Sequence, residues 1–133
     1  MISVALIADS GPALEAMTSS LASVPGVNIV RHCHGHARIG AGLTRCAPDL
    51  ILLDEMRWPR LALQRLDEIR DALPHAHVVV RAARPEAGWL AEALQAGASA
   101  VVPATAGAET LGVVLNEVVA ERRDGHTQDR LAA

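Results

Sequence analysis

The chain has 133 residues, half of them apolar, with a positive mean hydropathy and a formal net charge of −3. That size suits one domain with a real core, and that charge excludes a general electrostatic pull toward nucleic acid. There is no Phe or Tyr and there are only two Trp, so the core must be aliphatic; all 12 basic residues are Arg.

Ile2 to Ala8 predicts a strand that begins at once, with no basic region and apolar stretch of a signal peptide before it. Pro12 to Ser23 predicts a helix with Leu14, Met17 and Leu21 on one face. Val27 to Val30 reads as the second strand, entered through the Pro25-Gly26 turn. Ala37 to Cys46 carries Ile39, Leu43 and Cys46 at helical spacing. Pro48-Asp49 then precedes the strand Leu50 to Leu53, with Asp54 at its tip. Leu61 to Leu73 predicts an amphipathic helix ended by Pro74. His77 to Val80 is the fourth strand, and Glu86 to Ala96 a helix closed by Gly97. Ser99 to Val102 is the fifth strand, stopped by Pro103. Ala108 to Arg122 is the last helix, with Leu111, Val114, Leu115, Val118 and Val119 inward. No apolar stretch reaches the roughly 18 residues of a membrane span. Cys33 and Cys46 fit reduced thiols of a cytoplasmic protein better than a disulfide framework.

Short continuous apolar strands alternating with helices predict an α/β fold, a parallel sheet covered on both faces. Ligand sites in such sheets lie outside the strand C-termini. Asp9, Asp54, Ala82 and Ala104 fall at those tips.

Four stretches, "VALIADSGP", "PDLILLDEMRWP", "HVVVRAA" and "GASAVVPATAGAETL", resemble in order and spacing the segments of bacterial response-regulator receiver domains. The likeness is nearest to the receivers of NarL/FixJ-type transcription regulators and covers residues 2–122. It implies a doubly wound (βα)5 sheet of the flavodoxin/CheY-like kind, with five parallel strands in the order 2-1-3-4-5. Residues 1–122 would form the receiver-like domain and 123–133 a C-terminal tail or the start of a linker. The end, "ERRDGHTQDRLAA", resembles the linker that leads in that family to a helix-turn-helix domain absent from this chain. DNA would be read only through that domain. A stand-alone protein with a frayed tail is the other reading.

Receivers of this family phosphorylate an Asp at the end of strand three. An acidic pair after strand one holds Mg²⁺, a Thr or Ser ends strand four, and a Lys ends strand five. Phosphoryl transfer needs a cation across the phosphate oxygens, and the Lys and hydroxyl then hold the product. Here Asp54 matches the phosphoacceptor position and Asp9 one member of the acidic pair, whose neighbour is Ala8. The hydroxyl position falls on Ala82 and the Lys position on Ala104, with Thr105 one residue out. Val101 replaces the aromatic residue of strand five. The proline of "DEMRWP" comes one residue late, which would bring Trp58 over the pocket. This pattern implies a non-enzymatic, phosphorylation-independent receiver, either constitutive or fed by a small molecule. The two alanines would enlarge and neutralise the pocket near Asp9, Asp54, Trp58 and Ala82, which suits an organic ligand. Other readings stay open. Asp9 and Asp54 could simply bond loop amides, hold Mg²⁺ weakly, or serve ordinary phosphorylation.

"RHCHGHAR" sets His32, Cys33, His34 and His36 close together, which raises a Zn²⁺ or copper sensing module against a plain polar loop. The spacing matches no established motif, and His32 and His34 share a face only if the strand continues. "GHARIGAG" lacks the Lys and Ser/Thr of a phosphate loop. Arg81, Arg84, Glu86, Trp89, Glu92, Val101, Glu109 and Asn116 could line a homodimer face built from helix four, strand five and helix five. An exposed Trp89 would anchor it. Helices one and five offer another face, and a solvated surface is the plain alternative.

Overall fold

The computed structural model describes residues 1–9, 11–34, 39–54, 59–83 and 86–132. Five β–α units follow one another: β1 Ile2–Ala8, α1 Pro12–Ala22, β2 Val27–His34, α2 Gly40–Cys46, β3 Leu50–Asp54, α3 Pro59–Ala72, β4 His77–Ala82, α4 Ala87–Gln95, β5 Ala100–Pro103 and α5 Ala108–Ala132. The strands pair in parallel in the order β2-β1-β3-β4-β5, the order expected.

The central strand shows why the sequence takes this form. All five residues of β3 are buried, because helices cover both faces of the sheet and leave no solvent side for alternation. On one face Ile51 and Leu53 pack with Ala5, Ile7, Leu43, Leu66, Ile69, Val78 and Val80. On the other, Leu50 and Leu52 pack with Val4, Leu6, Met17, Leu21, Val79, Leu111 and Leu115. The core is aliphatic, as the composition requires. Each fully buried Leu or Ile contributes about 1.5–3 kcal/mol of transfer free energy.

Many element ends shift by one to three residues from expectation, and three differences bear on the architecture. β2 runs on to His34 rather than stopping at Val30. Its pairing with β1 slips by one residue: Val4 faces Ile29 but Ala5 faces Arg31, and Val30 is skipped. This bulge reverses the side-chain alternation. Ile29 packs on the α1/α5 layer, whereas Cys33 is buried in the opposite layer beside Ile39 and Leu43. Arg31 crosses α2 at Gly42, where a Cβ would meet its guanidinium carbon at 2.6 Å. β5 includes Pro103, which an edge strand tolerates. α5 continues to Ala132 because no proline interrupts it, although the inward apolar periodicity ends at Val119. No helix among the described residues is long and apolar enough to cross a membrane.

Candidate functional site

The C-terminal edge of the sheet holds most of the residues singled out by sequence. Pairing of Ile7 with Leu53 sets Asp54 level with Ala8, and Asp54 itself pairs with Arg81. Strand alternation carries Asp54 to the side of Leu52, and Arg81 to the side of Val79. Both are in the α1/α5 layer. Two oppositely charged side chains therefore leave adjacent strands on one face. Arg81 Nη1 donates to Asp54 Oδ1 at 3.3 Å, and Nη2 donates to the main-chain oxygen of Ala104 at 3.2 Å. These lengths are at the long end for charge-assisted bonds, so the contact is a clasp rather than a tight fork. Side-chain exposures of 19% for Arg81 and 12% for Asp54 leave it less screened than a surface pair.

The contact of Arg81 with Asp54 is one the sequence alone does not show. Arg81 reaches Asp54 on β3 as well as the β5–α5 side, where it bonds the Ala104 carbonyl. The alanines at the hydroxyl and lysine positions were expected to leave a neutral pocket. Ala82 is fully buried and Ala104 half-buried, but Arg81 brings a cation to the Ala104 carbonyl. The two alanines are also tied to each other, since the Ala104 amide donates to the Ala82 carbonyl at 2.8 Å. Thr105 is exposed in the turn after β5. Asp9 is half-buried just past β1, beside the fully buried Ala8. Trp58 lies outside the described residues.

Mg²⁺ is held by one or two carboxylates together with water and phosphate oxygens. This edge offers Asp9 without an acidic neighbour, and Asp54 already has a guanidinium against it. Even two unit charges of like sign about 4 Å apart repel by about 4 kcal/mol at the effective dielectric of a protein surface. The residues present do not fit the ion that the resemblance implies.

The opposite, N-terminal edge is stitched by other side chains. Asp49 Oδ2 accepts from the Ser3 amide at 2.9 Å and from the Ser3 hydroxyl at 3.0 Å, and the Asp49 amide bonds Ser3 Oγ at 2.9 Å. His77 Nδ1 and Ser99 Oγ share a bond of 3.0 Å between β4 and the start of β5. Near this edge the Cys46 thiol is pushed up in pKa, chiefly by burial, with the Arg31 charge opposing.

β2 pairs His34 with Ala8, Cys33 is a buried free thiol, His32 is exposed, and His36 lies outside the described residues. Among the described residues no three His, Cys, Asp or Glu side chains converge on a metal position. Trp89 is not the exposed anchor expected. It is half-buried against the core face lined by Ile69 and Val80, and its ring N–H is buried with no acceptor among the described residues. Val101 packs on the same layer. Glu109 is exposed in the first turn of α5. It lines a groove of about 560 Å³ with Val24, Pro25, Gly112, Val113 and Asn116, between the end of α1 and α5. Arg84 lies outside the described residues.

No family model matches the chain. No curated protein matches it either. Solved structures do. The signal receiver domain of NarL from Mycobacterium tuberculosis is 24% identical with a TM-score of 0.74, over 89% of this chain and 95% of that one. A LuxR-family two-component response regulator from Aurantimonas is 18% identical with a TM-score of 0.78, over 92% and 87%. A DNA-binding response regulator of the LuxR family from Staphylococcus aureus is 21% identical with a TM-score of 0.70, over 90% and 99%. Identities this low establish the fold. The chain has the receiver-domain fold of response regulators.

Proposed function

We propose that this chain is the receiver module of a bacterial transcription regulator, and that it works without phosphorylation, through pairing with a second copy. It has no catalytic role of its own in this reading, and DNA is contacted by a further domain. The carrying observation is the contact of Arg81 with both Asp54 and the Ala104 carbonyl. A receiver acceptor is neutralised by Mg²⁺ and then, once phosphorylated, held by Lys and hydroxyl. At this edge the guanidinium neutralises the acid permanently, and alanines stand where the product would be held. The likeness to NarL and LuxR-family receivers supports the regulatory class.

A second reading draws on the same contact: Arg81 stands in for the lysine, and Asp54 still accepts phosphate. Incubation with acetyl phosphate and Mg²⁺ followed by intact mass separates the two. The expected spectrum is unchanged; a phosphate adduct that disappears in Asp54→Ala would overturn phosphorylation independence.

A further inference from the structure

The mismatch between this edge and Mg²⁺ has a specific origin, and it rests on the reading of the edge given above. We infer that Arg81 is the resident cation of the fold, excluding divalent metal from the acidic edge while fastening β3 to the β5–α5 turn. Three observations converge. Register sets Arg81 beside Asp54, so the guanidinium needs no rearrangement to reach it. One nitrogen contacts the carboxylate at 3.3 Å and the other the Ala104 oxygen at 3.2 Å, so a single side chain spans β3, β4 and the turn after β5. Both side chains of the pair are less than one-fifth exposed, so salt and water weaken the charge contact only partly.

The geometry also explains how the chain manages without lysine. The cation has moved from the end of β5 to β4, to the residue before Ala82. From there it reaches the acid from the side. The Ala104 position, freed of charge, contributes its carbonyl instead. A metal ion seeking Asp54 must displace the guanidinium, and the guanidinium cannot shed its charge to make room. Displacement would also release the turn that leads into α5.

Titration of the full chain with Mn²⁺, read by paramagnetic broadening of backbone amide resonances, tests this. Wild type should show no saturable broadening of the Asp9, Asp54 and Ala82 amides up to millimolar Mn²⁺. Arg81→Met should gain it, with affinity tighter by about tenfold or more, as expected for removal of a contacting, partly buried charge. The gain should vanish in the Asp54→Asn, Arg81→Met double variant. Should Arg81→Met fail to fold, Arg81→Gln answers the same question, since it removes the charge and keeps a donor. Saturable wild-type binding as tight as the variant's overturns the inference, and so does absence of binding in a folded uncharged variant. The outcomes stay distinct from the phosphorylation test. Metal binding by wild type without an acetyl phosphate adduct removes metal exclusion and leaves phosphorylation independence standing.

Discussion

The two edges of the sheet face the same mechanical problem, and they meet it with different chemistry. At the N-terminal edge Ser3 and Asp49 bond each other's backbone and side chain, and His77 joins Ser99. At the C-terminal edge, where a receiver keeps its reactive acid, Arg81 joins Asp54 to Ala104. The two edges thus share one device: both tie neighbouring strands together with side chains. The difference lies in charge. The lower stitch is a carboxylate on neutral donors, and the upper one is an ion pair. An acid at a strand tip is therefore no sign of chemistry until its partners are known.

That comparison can be broken at several points. Both edges presume a rigid sheet between them, so the largest effect should come from the middle. Leu52→Ala should cost about 2–5 kcal/mol in urea unfolding, as other buried Leu truncations do; a loss below 1 kcal/mol would mean the sheet is not the frame. Next, Asp49→Ala strips two acceptor contacts from Ser3 and should cost about 1–3 kcal/mol. Arg81→Met should cost less, about 1–2 kcal/mol, because the pair is long and partly hydrated. Its cost should also shrink between low salt and about 1 M NaCl, while the Asp49→Ala cost changes little. A neutral or stabilising Arg81→Met would remove the likeness between the edges, for the upper contact would then hold nothing together. The smallest effect concerns Cys46. A raised pKa means less thiolate at any given pH, so iodoacetamide should label this thiol more slowly than a free cysteine near neutrality. The rate should climb only at a pH higher than for the free thiol. Labelling as fast as free cysteine would show that the lower edge opens.

Much of the fold was legible because its signals are local. The unbroken apolar run of β3, Pro74 after α3 and Gly97 after α4 each act within a few residues of themselves. The end of β2 was not legible, because an extra residue at Val30 breaks the period of two on which the reading depended. Of the site positions at strand ends, Asp54 and Ala82 are the last residues of β3 and β4, and Asp9 and Ala104 follow the last residues of β1 and β5. The association of Arg81 with Asp54 depends on register between two strands, which no stretch of sequence carries alone. A signal was available nonetheless. Counting in twos from the buried Val79 carries Arg81 to the face where Leu52 carries Asp54. The burial of Trp89 is hidden for a related reason, since an aromatic residue among charges on a helix can turn either way.

The skipped residue in β2 has a consequence at the margin of the molecule. β2 is an outer strand of eight residues, with Asn28, Val30, Arg31 and His32 exposed. A long straight strand in that place would offer a continuous row of free amides and carbonyls, a template on which another chain could lay itself down as a fibre. The irregularity at Val30 interrupts the row, and the neighbouring arginine adds charge, so the sheet resists growing sideways.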